Sequence, residues 1–468
     1  MTKINISQTL RYKFREYLSL FRQALAGGDQ DYTSLKLGKA IFLLAIPMVL
    51  EMIMESIFAI VDIFFVSRLG SDAIAAVGLT ESMMTIVYAI AVGFSTGTTA
   101  LVSRRIGEKH PEAAAKAAGQ SIVAGMTVSL LLAIPGIFYS YELLRLMGAS
   151  HDLASQNHGY TLIMFAGNFV ITMLFIINAA FRSAGDAALS MRVLLIANGI
   201  NIILDPILIF GFGPIPALGI EGAAIATNIG RGLAVFFQFY VLFRGRMRIK
   251  LRLVHLIPDL KLMVVLVRLS IGGILQNMIA TASWIVMVRI IAVFGSAAVA
   301  GYTIGIRIII FSLLPSWGLS NAAATLVGQN LGANQPERAQ RAGWITGFSN
   351  MALLGLISIV FIAFPGFFVR LFISETEVIK AGITCLQIVS SGFLFYAMGM
   401  VMTQSLNGAG DTYTPTLLNF ICFWLIEIPL AYFLAITVGL ETNGVYYAIV
   451  IAESILTLLG IYVFSKGK

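Results

Sequence analysis

The chain has 468 residues, of which 58% are hydrophobic and only 12% charged, and a formal net charge of +8. Soluble domains run about 45–50% apolar and about 25% charged. Charge is therefore too sparse to coat a globule of this size, and a mean hydropathy of +0.89 assigns most of the surface to lipid. That excludes a soluble enzyme, a disordered chain and a disulfide-stapled secreted protein, and it makes the basic excess a property of membrane loops rather than a nucleic-acid footprint.

The first 39 residues contain no span. Arg11, Lys13, Arg15 and Arg22 interleave there with Tyr12, Phe14, Tyr17, Leu18 and Phe21, a pattern suited to an interfacial helix on anionic lipid or, equally, to a frayed tail. A spanning helix needs about 20 predominantly apolar residues. Apolar runs near 40–67, 74–102, 117–140, 159–181, 191–211 and 220–243 predict six spans, and runs near 264–293, 297–327, 342–365, 384–406, 416–438 and 444–465 predict six more. The first is expected to be a true span rather than a cleaved signal. An even number puts both termini on one side. Loops on that side hold 24 of the 31 Lys and Arg, whereas the opposite loops hold only Arg68, Arg145, Arg370 and Lys380. The positive-inside rule then expects both termini in the cytoplasm and the chain in the plasma (inner) membrane.

The two sets of six are copies. LVSRRIGEKHPEAA from Leu101 realigns with LVGQNLGANQPERA from Leu326 at an offset of 225, which also pairs Gly70-Ser71 with Gly295-Ser296, Gly93 with Gly318 and Ala184-Gly185-Asp186 with Ala409-Gly410-Asp411. Six spans per copy give both copies the same orientation, a parallel repeat. The expected fold is an all-α polytopic membrane protein, with twelve transmembrane helices in two pseudo-symmetric six-helix lobes. Its segments are a tail (1–39), an N-lobe (40–243), a linker (244–262) and a C-lobe (263–468) around a central cleft. The linker carries Arg244, Arg246, Arg248, Lys250, Arg252 and Pro258 and reads as a tether.

Ionisable residues within spans are expensive and point to function. The first copy has Glu51, Glu55, Asp62, Glu81 and Asp205 against Arg231 alone; the second has Glu427 and Glu453 against Arg289 and Arg307, which are expected to form structural ion pairs or to lie close to a lipid–water boundary. At 100° per residue Glu51, Glu55 and Asp62 fall within about 40° of one another, an acidic stripe on span 1. Pro47 precedes them and permits a bend. Asn201 and Asp205 are four apart and share a face of span 5, with Asn178 and Thr227 as further neutral ligands. Paired carboxyls taken out of water can hold a proton near neutral pH, and an all-oxygen set centred on Asp62, Asn201 and Asp205 equally suits Na⁺.

In these features the chain resembles the multidrug and toxic compound extrusion (MATE) family over nearly its whole length. The resemblance rests on the twelve spans in two related lobes, IPMVLEMIMESIFAIVDIFFVSRLG in span 1, the paired Pro-Glu turns after spans 2 and 8, and the paired AGD turns. It implies a monomeric secondary antiporter that exports cationic or amphipathic small molecules against inward H⁺ or Na⁺, without a cofactor. By resemblance Asp62 after Pro47 matches the family's span-1 aspartate. Asn178, Asn201, Asp205 and Thr227 match the N-lobe polar site of its DNA-damage-inducible type. Glu51 and Glu55 are additions to the family's pattern and, with Glu81, are read as further cavity acids from their place in the spans. The norfloxacin-exporter branch has an acid on span 7, whereas no Asp or Glu lies between Asp259 and Glu337 here, which favours coupling in the N-lobe. A flippase of lipid-linked sugars would need a cationic cavity. A membrane-embedded enzyme is disfavoured because His110, His151, His158 and His255 lie in loops or at span ends, with no HExxH and no Ser/His pairing within the membrane, and an ATP-driven pump because no GxxxxGK[ST] loop occurs.

Overall fold

The computed structural model describes residues 6–28, 30–245 and 248–467, without the side chains of 6–14 and 17. The side chains of Arg11, Tyr12, Lys13, Phe14 and Tyr17, and Arg246 of the linker, lie outside the described residues. The structure opens on α1 (Ile6–Ala26), which is not a span. The first copy follows as α2 (Leu37–Val66), α3 (Ser71–Gly107), α4 (Pro111–Phe138), α5 (Ser140–Leu146), α6 (His151–Ala166), α7 (Asn168–Ala184), α8 (Ala187–Phe210) and α9 (Gly219–Arg244). The second comprises α10 (Leu260–Ile291), α11 (Ser296–Gly332), α12 (Pro336–Ala363), α13 (Pro365–Arg370), α14 (Thr376–Ser391), α15 (Phe393–Ala409), α16 (Tyr413–Asn419), α17 (Ile428–Tyr432) and α18 (Glu441–Ser465). Among the described residues eleven helices are long and apolar enough to cross a membrane, and α14 with α15, bent by 56°, makes the twelfth.

The repeat extends to helix ends. Ser71 and Ser296, Gly107 and Gly332, Pro111 and Pro336, and Ala184 and Ala409 each begin or end a helix at the offset of 225. The AGD turns close α7 and α15 through Gly185 and Gly410 at φ 95° and 93°, a left-handed cap that penalises any side chain. Two features escaped the hydropathy reading. Spans 4 and 10 are each broken at a symmetry-related glycine, Gly167 and Gly392, and the polar turn at Asp152–His158 hid the first part of span 4. Span 11 contains π-helical turns at Phe420–Glu427 and Phe433–Thr437. Pro429, which lacks the N–H needed to hold a tight α ladder, follows the first of them.

The copies pack as two lobes that meet at the end carrying the termini. Apolar clusters on that half mix both copies: Leu43, Leu44 and Met48 of α2 join Leu319, Ala322 and Leu326 of α11, and Leu266 of α10 enters the core of α3, α4 and α7. On the opposite half the clusters segregate, one built from α2, α3, α6 and α9, the other from α10, α11, α14 and α18. The glycines that pair across the repeat make the junction. A Cβ on Gly107 would lie 2.0 Å from the Gln329 carbonyl oxygen, and one on Gly332 would lie 2.1 Å from the Arg104 carbonyl oxygen. The lobes thus close at the terminal side and part at the other.

A strap formed by residues 31–35 ties the lobes at this closed end. The Tyr32 hydroxyl donates to the Gly185 carbonyl at 3.1 Å, Arg338 of α12 donates to the carbonyls of Tyr32 and Leu35, and Lys109 binds Asp31 at 2.6 Å. Partial burial opposes ionisation of Asp31, but the Lys109 ammonium and the Thr33 hydroxyl and N–H outweigh it and hold the carboxyl well below the usual range. A depressed carboxylate stabilises above its unfolded pKa and loses that contribution as pH falls through the folded value, so the strap is expected to stay fastened at pH 5. Asp31→Asn is expected to release it, raising the rate of limited proteolysis between Gly27 and Leu35 at neutral pH; equal rates in the variant and the parent would assign the fastening to Arg338 alone.

The linker is docked rather than loose. Ile249 and Leu251 are buried in the first-lobe core, Gln120 of α4 donates to the carbonyls of His255 and Ile257 at 2.8 Å, and His255 meets Glu112 at 2.9 Å. Lys116 binds Asp259 at 2.6 Å and, with the Leu262 N–H that Asp259 caps, holds this carboxyl below its ordinary value.

Candidate functional site

Antiparallel neighbours bring level those residues equidistant from the turn that joins them, and this sorts the buried polar groups into two tiers. The tier nearer the closed end lines a cavity of about 210 Å³ between the lobes. Glu51 of α2 sits there, 1% exposed, with the Arg182 guanidinium 2.6 Å from its Oε1 and Asn178 Nδ2 at 3.4 Å. Arg182 reads in the sequence as a loop residue at the end of span 4. The structure buries it in the last turn of α7, so the first lobe holds a second intramembrane base besides Arg231. Glu55 lines the same cavity and binds Arg231 at 3.0 Å, and the Arg231 guanidinium lies 4.9 Å from the Phe58 ring centroid. The expected acidic stripe is thus largely neutralised, because each of its two cavity acids meets an arginine from a facing helix.

The second tier lies toward the open end. Asp205 is fully buried; its Oδ1 accepts from Asn201 at 3.3 Å, and Asn201 also donates to Thr227 at 3.2 Å. Asn198 of α8 donates to the Met54 carbonyl of α2 at 3.2 Å, and both helices run away from the closed end, so Asp62 and Asp205, eight and seven residues further on, stand at the same height. The structure therefore brings together Asp62, Asn201, Asp205 and Thr227. It leaves out Asn178, which stands level with Ser190 rather than Asp205 and whose backbone carbonyl accepts from the Ser190 hydroxyl at 3.2 Å. Glu81 is exposed and forms no ion pair within 4 Å among the described residues, Arg231 having bonded Glu55 instead. Pro47 is buried within a continuous α2.

Asp205 Oδ2 and Asn201 Oδ1 are buried without a hydrogen-bond partner. An orphaned carboxylate oxygen beside an orphaned amide oxygen suits a proton or a small hard cation, since both are met by oxygen alone. Among the described residues no group of three or more His, Cys, Asp or Glu could hold a metal. Any cation here would rest on carboxylate and amide oxygens.

The expected C-lobe ion pairs do not form among the described residues. Arg289 and Arg307 are exposed, and neither pairs with an acid there. Glu427, 2% exposed, instead accepts from Ser283 at 3.2 Å, and Glu453 lies beside Tyr396 and Glu427.

The repeat relates the tiers across lobes. The partners of Glu51 and Arg182 at offset 225 are Gln276 and Asn407, and these form a reciprocal amide pair: Gln276 Nε2 donates to Asn407 Oδ1 and Asn407 Nδ2 to Gln276 Oε1, both at 3.1 Å. One lobe holds a charged pair where the other holds its neutral counterpart. Reading the copies residue by residue, rather than motif by motif, would have singled out Arg182.

With this geometry in view, the chain matches the family described as MatE over residues 47–207 and 273–433, one match per lobe. The chain belongs to the MatE family. Membership makes it a transporter rather than an enzyme. It is 26% identical to the probable multidrug resistance protein YoeA of Bacillus subtilis over 92% of this chain and 94% of that one. It is 30% identical to an FAD transporter of Shewanella oneidensis over 66% of this chain and 68% of that one. A multidrug resistance MATE family transporter of the MOP superfamily, solved in an outward-facing conformation, superposes with a TM-score of 0.87 at 23% identity over 93% of this chain and 96% of that one. This MatE protein thus has the two-lobe, twelve-span membrane architecture of its family.

Proposed function

We propose that this MatE protein is a secondary antiporter that exports amphipathic small molecules carrying a cationic centre in exchange for H⁺ or Na⁺. In this reading coupling resides in the N-lobe, as in the DNA-damage-inducible type, and the protein acts as a monomer. Relatives named for multidrug resistance support the export of such compounds. The loop distribution of Lys and Arg supports cytoplasmic termini, with 244–262 tethering lobes at 40–243 and 263–468. The closed end then faces the cytoplasm and the cleft opens outward.

The observation that carries the reading is the orphaned oxygen pair at Asp205 and Asn201 beside Asp62, separate from the cavity yet linked to it. Arg231 is the link: it binds the cavity acid Glu55 at 3.0 Å, and Glu55 lies two turns before Asp62 on the same face of α2. An ion entering from outside discharges Asp62 and Asp205, which frees Arg231 to hold Glu55 more strongly and bends α2 at Pro47, releasing the solute outward. The ion leaves inward once the lobes open to the cytoplasm. Vesicles containing the protein, loaded with a fluorescent amphipathic cation and given a proton gradient or a sodium gradient separately, test this. One gradient alone is expected to drive accumulation, and the one that does names the ion. Movement that ignores both gradients would rule out antiport.

A further inference from the structure

The helix α1 precedes both lobes, and the export reading makes no use of it. Its C-terminal end is fixed to the first lobe. Ala24 is buried in the apolar cluster that also holds Tyr32, Leu43 and Ala187. Gly27 turns the chain at φ 66° so close to α8 that a Cβ there would lie 3.0 Å from Ala188 Cβ. The last carbonyls of a helix lack donors of their own. Here Arg192 of α8 supplies them, its guanidinium donating to the Ala26 carbonyl at 2.6 Å and to that of Leu25.

Arg192 also sets the height of this end in the membrane. It is exposed, and it shares a face of α8 with the exposed side chains of Leu195 and Ile196, three and four residues further into the span. Lipid-facing surface therefore begins about 5 Å along α8 from the residue that holds α1. The end of α1 lies where headgroups lie, on the lipid side of α8.

The described side chains of α1 are sorted to suit that position. At 100° per residue Arg15, Leu18, Phe21, Arg22 and Leu25 fall within an arc of about 120° centred on Leu18, and all but the half-buried Leu25 are exposed. The buried Ala24 lies about 120° from that centre, and Glu16, the sole acid in the sequence of α1, about 160° away. Apolar side chains set between arginines, with the acid turned off the face, match an anionic bilayer surface: acyl chains below for the first, phosphate oxygens for the second. We infer that α1 is a membrane-surface anchor whose Arg15–Leu18–Phe21–Arg22 face binds anionic phospholipid in the leaflet at the closed end.

The test needs no transport and no assumption about which side of the cell this end faces. Cys385 and Cys422 are both buried, so a nitroxide can be placed selectively at Leu18→Cys or, separately, at Glu16→Cys in the full-length protein in lipid nanodiscs. Collisions with oxygen, which concentrates in the bilayer, are compared with collisions with a water-soluble nickel chelate. In discs containing phosphatidylglycerol the Leu18→Cys label is expected to meet oxygen and the Glu16→Cys label the chelate. In discs of phosphatidylcholine alone the Leu18→Cys label is expected to turn toward water. Arg15→Gln with Arg22→Gln, in phosphatidylglycerol, is expected to lower its ratio of embedded to water-exposed populations about 25-fold, since one basic side chain at an anionic surface gives roughly a fivefold preference. A Leu18→Cys label open to the chelate in both kinds of disc would overturn the inference. So would one embedded equally without phosphatidylglycerol or without the arginines, or one shielded from both collision partners, as a protein covering the face would shield it. The lipid comparison uses one and the same labelled protein, so a folding defect cannot produce its result.

Discussion

Asp205→Asn is expected to lose gradient-driven transport by about two orders of magnitude or more while binding solute with nearly unchanged affinity. An equilibrium moves only by the difference in affinity that a ligand has for its two states. An amide that cannot change charge offers an entering H⁺ or Na⁺ far less of that difference than a carboxylate does. Asp205 does not line the central cavity, whereas Glu51 and Glu55 do, so solute binding is spared. The substitution keeps shape and can retain the contact with Asn201, now at 3.3 Å, and it removes a buried charge with no base within ion-pair distance. Thermal stability is therefore expected to hold or rise. Asp62→Asn is expected to act in the same direction. Undiminished accumulation by either variant in energised vesicles would remove that residue from the coupling site. Loss of solute binding together with transport would place the defect in folding or the cavity instead.

Replacing both Gly107 and Gly332 with alanine is expected to have the second largest effect, on the balance between states rather than on chemistry. At these positions the added methyl group would meet backbone oxygens at 2.0 and 2.1 Å, and backbone cannot rotate aside as a flexible side chain can. Overpacking costs about 1–3 kcal/mol per site, and the cost falls only on the state in which α3 and α11 cross at the closed end. Together the two methyls are expected to disfavour that state by about 2–6 kcal/mol, a shift of roughly 30-fold to 10⁴-fold toward the opposite opening. Spin labels on the two lobes near the ends of α3 and α11 read this as a population at longer distance, with helical content unchanged. An unaltered distance distribution would show that the lobes part elsewhere. Alanine is otherwise a better helix former than glycine, so a loss of folding is not the expected cause.

The sequence disclosed what depends on patterns longer than a helix turn. The twelve spans, the duplication and the shared face of Asn201 and Asp205 follow from apolar length, a constant offset and 3.6-residue periodicity, and each has its counterpart in the structure. Partners supplied by other helices were out of reach. Arg182 sits two residues before an AGD turn, where hydropathy reads a loop, and only the side chain of Glu51 reaching it from α2 turns it into a counter-ion. Asn178 was grouped with Asp205 because both are polar and intramembrane. Register along antiparallel helices, which composition does not carry, separates them by most of a lobe's depth. Charge balance pairs Glu427 and Glu453 with the C-lobe arginines, but balance does not say which side chains meet, and Glu427 accepts from Ser283 instead. The π turns of span 11 flank Pro429, a proline that hydropathy counts as one more residue of an apolar run.

Ion release on solute binding tests coupling most directly. Purified protein in weakly buffered detergent solution at neutral pH is titrated with a transported solute while proton release is followed with a pH indicator, in parallel with a sodium-sensitive readout. Coupling through Asp62 and Asp205 predicts that the parent releases H⁺, or Na⁺, as solute binds, and that Asp205→Asn binds the solute but releases neither. Solute binding that releases no ion from the parent, or release that persists undiminished in Asp205→Asn, would contradict it.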